Sequence, residues 1–197
     1  MTKGKLIVFE GISGTGKETQ AKLLGDFLSR KGIQSTIVYH PSPQLKEILS
    51  AWRKERSIDH IAEIYLLLAD RQSRVRQLIV PALTRGEWVI SLRSWVSALV
   101  YQGKTEKEKS WIAREFGAFE PIPDYLFYFD IDPDVAYKRA KDRHEKTGEP
   151  MGKFETLVLL NQMRNRYQQV LKTIPHKTID ASLSIESIHT FLVRCLL

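Results

Sequence analysis

Gly11-Ile12-Ser13-Gly14-Thr15-Gly16-Lys17-Glu18-Thr19 is the stretch that decides the fold. It follows a short apolar run, Leu6–Phe9, and opens a segment predicted helical over Lys17–Arg30. Glycines let the backbone turn inward so that successive N–H groups face one point, and a helix starting there adds the positive end of its dipole. A lysine closing the loop supplies a mobile charge for the outer phosphates. Strand, loop, lysine and helix in register predict a P-loop, with Gly11, Ser13, Gly14, Thr15, Gly16 and Lys17 around the phosphates of ATP. Lys17 is expected to stand exposed in the mouth of the loop. The full pattern places Ser or Thr after the lysine to hold magnesium; this chain has Glu18, then Thr19. A carboxylate and a hydroxyl are both hard oxygen ligands, so Mg²⁺ is expected on Glu18 and Thr19, directly or through water.

Outward from the loop, short continuous apolar runs alternate with longer helical segments. Leu6–Phe9, Ser35–Tyr39, Trp88–Leu92, Tyr125–Asp130 and Lys177–Ile179 read as strands; most lack polar alternation, as in a sheet buried on both faces. Helices are predicted over Lys17–Arg30, Gln44–Lys54, Ile58–Arg85, Ser97–Phe116, Pro133–Glu145, Phe154–Thr173 and Ser184–Leu196. Gly32 and Gly86 sit where left-handed C-caps belong, and Asp132 precedes Pro133 as an N-cap. Strand-helix alternation predicts right-handed crossovers and a three-layer α/β/α sandwich around a five-stranded parallel sheet. The whole chain, 1–197, reads as one domain. Its one loop-like insertion, at 144–153 with Gly148, Pro150 and Gly152, predicts a short mobile lid spanning about residues 143–153.

The net charge is +7, and between Lys138 and Lys177 ten Lys and Arg face four Asp and Glu. An excess confined to one stretch suits a phosphate-facing lid. A groove for nucleic acid would need a basic stripe with interleaved aromatics, which the chain lacks, so no nucleic-acid partner is expected. One cysteine, Cys195, excludes an internal disulfide framework and fits a reducing compartment. No apolar run approaches membrane-spanning length and the first is too short for a signal-peptide core, so the expectation is a cytoplasmic protein without a membrane partner.

From Phe9-Glu10-Gly11 through Gln20 the chain resembles the thymidylate kinase family, and the likeness continues almost to the C-terminus. Leu68-Ala69-Asp70-Arg71, Pro81-Ala82-Leu83, Gly86–Ile90, Arg93 with Tyr101-Gln102-Gly103, and Asp124–Leu126 into Asp130–Pro133 follow in the family's order. Lys138–Ala140, Phe154-Glu155, Arg166-Tyr167 and Ile179-Asp180-Ala181 complete the series. The resemblance implies an ATP- and Mg²⁺-dependent nucleoside-monophosphate kinase, with dTMP first among small-nucleotide acceptors, working as a homodimer. It implies that Lys17, Arg93 and Arg143 serve the transfer, with Arg93 clamping the acceptor phosphate and Arg143 facing the transferred group from the lid. Arg139 and Ala181 would join the ATP site. Glu10, Pro41, Leu67, Arg71, Tyr101 and Gln102 would line the acceptor site, Arg71 hydrogen-bonding the base and Tyr101 stacking near the sugar. Each has a plainer reading beside it: Arg71 as a surface arginine, Tyr101 as core packing.

The chain departs from the family pattern mostly on the acceptor side. Ser13 replaces the acidic residue that meets the sugar hydroxyl, Leu92 replaces the usual Asp before Arg93, and Leu67 replaces the aromatic that stacks on the base. His40-Pro41-Ser42-Pro43 replaces the arginine, acidic or aromatic residue, proline and glycines expected after the second strand; His40 reads as a loop residue or a phosphate contact. Another nucleotide acceptor, and a nucleotide-binding protein with weakened turnover, therefore stay open as alternatives at this level.

Overall fold

The computed structural model describes residues 4–55 and 57–197; the span 1–197 read as one domain includes residues 1–3 and 56, which lie outside them. In chain order the elements are β1 (Leu6–Glu10), α1 (Lys17–Arg30), β2 (Ser35–Tyr39), α2 (Pro43–Lys54), α3 (His60–Arg74), α4 (Val80–Thr84) and β3 (Trp88–Leu92). Then follow α5 (Trp95–Tyr101), α6 (Glu106–Gly117), β4 (Tyr125–Asp130), α7 (Pro133–Thr147), α8 (Leu157–Val170), β5 (Lys177–Asp180) and α9 (Ile185–Leu196).

All five strands run parallel in the order β2-β3-β1-β4-β5. Every residue of β1 and β3 is buried, because these inner strands meet helices on both faces; that is why they read as unbroken apolar runs. From β1 the chain goes first to the β2 edge, comes back to β3 beside β1, then crosses to the other flank of β1 at β4. The loop after β1 thus lies at the point where strand order reverses, beyond the carboxyl ends, where open α/β sheets bind ligands. Phe9, Phe127 and Phe129 interlock in the core beneath it, and α1 packs against α9.

Four helices differ from the sequence expectation. The segment 58–85 is not one helix: α3 ends at Arg74, Val75–Ile79 is a π turn, and α4 follows. Pro81 lies in the first turn of α4; it has no N–H, and its ring would crowd the preceding turn of a continuous α-helix. The segment 97–116 breaks between α5 and α6, where Gly103 packs tightly on Leu99 and Thr105 restarts the helix in a reciprocal capping box with Glu108. Helix α7 runs to Thr147 and ends on the left-handed Gly148, so the loop of the lid begins there, later than 144. It continues to Thr156, whose side chain caps α8, putting Phe154 before that helix. Gly32 and Gly86 do adopt left-handed backbones, and Asp132 caps α7 ahead of Pro133.

Candidate active site

The loop after β1 can be made only by glycine at two places. Gly11 has φ 140° and a Cβ there would meet the Phe129 carbonyl oxygen at 2.5 Å; Gly14 has φ 80° and a Cβ would meet the Ala136 carbonyl oxygen at 2.5 Å. Both close approaches pack the loop onto β4 and α7. Helices α2, α3 and α5 to α9 each begin under a Ser, Thr or Asp side chain that accepts a first-turn N–H. Helix α1 begins at Gly16 with no side-chain cap, which leaves its first amides for an anion.

Lys17 is buried at 8% exposure, which corrects the expectation that it stands free in the loop mouth. Its Nζ donates to the carbonyls of Gly11 (3.0 Å) and Ile12 (2.6 Å) and to Thr15 Oγ1 (2.8 Å). The amine thus folds back onto oxygens of its own loop. Burial, with Arg93 nearby, pushes its pKa well below the ordinary lysine value.

Arg93 approaches the same carbonyl: its Nη1 lies 3.4 Å from the Gly11 oxygen, 3.2 Å from Ser97 Oγ and 3.2 Å from Tyr167 Oη. The Tyr101 ring lies 4.9 Å from its guanidinium carbon, a cation–π contact. Tyr101 itself packs edge-on against Phe154 at 4.8 Å. Glu10 was expected on the acceptor; it is fully buried, accepting from Ser94 N (2.7 Å), Ser94 Oγ (2.7 Å), Ser97 Oγ (2.6 Å) and Tyr167 Oη (2.9 Å). It therefore holds the base of the site together and has no surface for a ligand.

On the lid side Arg143 Nη2 donates to both oxygens of Glu155 at 2.9 and 2.8 Å, and Glu155 also accepts from Gly152 N (2.7 Å) and from the Ser13 hydroxyl. Burial would raise this carboxyl, but the hydrogen bonds outweigh it and hold it below the usual carboxylate range. One carboxylate thus ties P-loop, α7 and the loop before α8 together. Arg139 reaches the Ala181 carbonyl (2.9 Å) and the Gly14 carbonyl (3.4 Å), linking three of the positions expected around ATP. Glu18 and Thr19 are exposed in the first turn of α1. Among the described residues no three His, Cys, Asp or Glu side chains form a metal cluster.

The acceptor side departs most from expectation. Leu67 packs with Leu45 and Leu49 in a small cluster between α2 and α3 and is 6% exposed, because its side chain meets the apolar face of α2. Arg71 has no exposed surface: its guanidinium is taken up by Glu120 and Ser91. The structure therefore does not bring either side chain to an open cleft. Pro41 is partly exposed after a cis His40–Pro41 bond. His40 is buried, its Nδ1 3.2 Å from Asp70 Oδ2, which also accepts from Ser42 N at 2.9 Å. Gln102 donates to Glu63 (3.3 Å), a carboxylate also held by Arg53.

Glu155, Tyr167, Glu120 and Ser91 carry much of this architecture, and no local pattern assigned them a role. Glu155 and Tyr167 pair far along the chain, 142 residues from Ser13 to Glu155 and 157 from Glu10 to Tyr167, so neither spacing nor periodicity could show those pairings.

Comparison with known proteins identifies the family. Residues 9–192 match the model of the family described as thymidylate kinase. A probable thymidylate kinase of Pyrococcus horikoshii is 32% identical, the alignment covering 97% of this chain and 95% of the relative. The thymidylate kinase of Legionella pneumophila (strain Paris) is 32% identical over 95% of this chain and 91% of its own. That of Buchnera aphidicola subsp. Baizongia pistaciae is 34% identical over 89% and 85%.

Proposed function

Because the chain belongs to the thymidylate kinase family, it is a nucleoside-monophosphate kinase that phosphorylates dTMP with ATP as donor, and we propose that transfer takes place between the P-loop and the cleft beside Tyr101. The observation that carries the proposal is the meeting of Lys17 and Arg93 at one carbonyl oxygen, that of Gly11, beside a helix start without a cap. Lys17 exchanges its three loop partners for β- and γ-phosphate oxygens, while Arg93 takes the acceptor phosphate. A phosphate oxygen of dTMP attacks the γ-phosphorus as the bond to the β–γ bridging oxygen breaks, leaving ADP. The acceptor is already ionised at neutral pH, with a second pKa of about 6, so no side chain need take a proton. The protein's work is to position the reactants and neutralise charge, which phosphoryl transfer requires above all. Arg143, freed from Glu155, completes the ring of cations as the lid closes, and the closed lid limits transfer to water.

The residues present fit magnesium. An exposed carboxylate and hydroxyl at the start of α1, with no all-protein cluster among the described residues, match an ion held largely by phosphates and water. Glu18 and Thr19 would supply the protein oxygens. Bound there, Mg²⁺ offsets phosphate charge. We further propose that the chain acts as one domain, in the cytoplasm and as a homodimer. No described helix is long and apolar enough to cross a membrane, and Tyr65 packs on Trp111 at 5.4 Å across α3 and α6 while remaining 57% exposed, an aromatic pair suited to a subunit contact.

The test is ADP release from Mg-ATP with dTMP, dUMP, dCMP, dGMP, UMP, CMP, AMP and thymidine offered separately. Turnover with dTMP well above the others is expected. A different preferred acceptor would reassign the base pocket and leave the transfer mechanism in place. ATP binding without turnover on any acceptor would overturn the proposal.

A further inference from the structure

Arg93 is the only non-glycine residue with positive φ among the described residues, at 78°. A side chain in that region is strained and persists only where its surroundings enforce it. Its own N–H donates to the Phe9 carbonyl at 3.0 Å, which fixes the entry to the turn. The exit is fixed by Ser91, whose hydroxyl donates to the Arg93 carbonyl at 2.8 Å.

The direction of that hydroxyl is set from behind. Arg71 Nη1 donates to Ser91 Oγ at 3.0 Å, and a guanidinium can only donate. The single Ser91 proton is therefore turned away from Arg71, toward the Arg93 carbonyl. Arg71 is itself immobilised: its Nε contacts both oxygens of Glu120 at 3.1 and 2.8 Å, its Nη2 adds a further bond, and the Glu120 side chain is 4% exposed. Ser91 has no exposed surface. The chain of contacts runs Glu120–Arg71–Ser91–Arg93, from buried ion pair to strained turn. At its far end the Arg93 guanidinium faces the P-loop carbonyl of Gly11.

We propose that Ser91 and the buried Arg71–Glu120 pair are positioning residues that hold the left-handed turn at Arg93 and so aim its guanidinium at the acceptor phosphate. Arg71 then acts through the backbone of Arg93, without contact to the acceptor's base. This rests on the reading of Arg93 as the acceptor clamp.

Steady-state kinetics on the full-length enzyme separate the possibilities. Ser91→Ala leaves the Arg71–Glu120 ion pair intact and removes two hydrogen bonds, the one to the Arg93 carbonyl and the one from Arg71. Loss of the bond to the Arg93 carbonyl is expected to raise KM for dTMP about tenfold, with KM for ATP nearly unchanged. The kcat/KM ratio between dTMP and dUMP should not move. A double variant, Arg71→Met with Glu120→Leu, replaces the pair by apolar groups and leaves no lone buried charge. It should show the same split, and combining it with Ser91→Ala should add little, because both act on one chain of contacts. A Ser91→Ala enzyme that is less stable but keeps the wild-type KM for dTMP would overturn the proposal. A changed dTMP-to-dUMP ratio in the double variant would overturn it as well, and would return Arg71 to the base. Arg93→Lys serves as the control. If its KM for dTMP is normal, the reading of Arg93 as clamp fails and the proposal with it; if its KM rises while Ser91→Ala is silent, only the positioning role fails.

Discussion

Lys17 carries a charge into a buried place before any phosphate arrives, and its three partners are all oxygens of its own loop. Burial chiefly, and then Arg93, lower its pKa, whereas a bound polyphosphate would favour the charged amine. The sign follows. With a free-state pKa below the bound-state value, ATP binding takes up a proton in the pH window between them, and affinity falls as pH rises through that window. Titration calorimetry in buffers of different ionisation enthalpy should show uptake growing from neutral toward alkaline pH. Lys17→Met should bind ATP weakly at every pH with no such uptake, and should transfer no phosphate. The phosphate role of Lys17 was legible in the sequence because glycine spacing and helix start are local facts. Its burial was not, since the carbonyls it folds onto belong to a backbone path that only the φ values of Gly11 and Gly14 create.

At the scale of elements, the sheet was legible almost residue by residue. Trp88–Leu92 and Tyr125–Asp130 keep their expected bounds because inner parallel strands, buried on both faces, cannot tolerate polar interruption, and Ser35–Tyr39 keeps its bounds at the partly buried edge. Helix breaks were less legible. Apolar periodicity passed smoothly through 97–116 although Thr105 and Glu108 announce a capping box, and the effect of Pro81 on the turn before it was overrun in the same way. The acceptor side was the least legible, because whether Leu67 faces a ligand or another helix depends on where α2 lies. With Leu45 and Leu49 against it, Leu67→Ala should cost about 2–3 kcal/mol, near the low end for a buried leucine because a small satellite cluster can relax. Urea denaturation should show the loss as a lower midpoint with an unchanged slope, and the ranking of acceptor bases should stay as it is in the parent enzyme.

Across the whole molecule, several ionisable groups are held in one protonation state by contacts between distant elements. Burial lowers the pKa of His40 despite its hydrogen bond to Asp70. Burial acts against the Asp70 carboxylate, but hydrogen bonds from His40 and Ser42 hold it down to about 2, and Glu155 is lowered in the same sense. Each folded-state pKa lies below its unfolded value, so the unfolded chain binds more protons and stability falls as pH falls. The histidine contribution should begin to fade below about pH 6.5, and the carboxylates should follow below about pH 4.5, down toward their folded pKa values. Urea midpoints measured from pH 8 down to about pH 2 should trace these two phases, and His40→Gln should flatten the first. The bare start of α1 has a further consequence at this scale. Where Ser42 completes α2 from within the chain, only a solute can complete α1, and α1 rests on β2 and β3. The donor nucleotide is in that sense the last residue of the fold: its concentration, through mass action on the native state alone, sets how firmly the middle of the molecule is held.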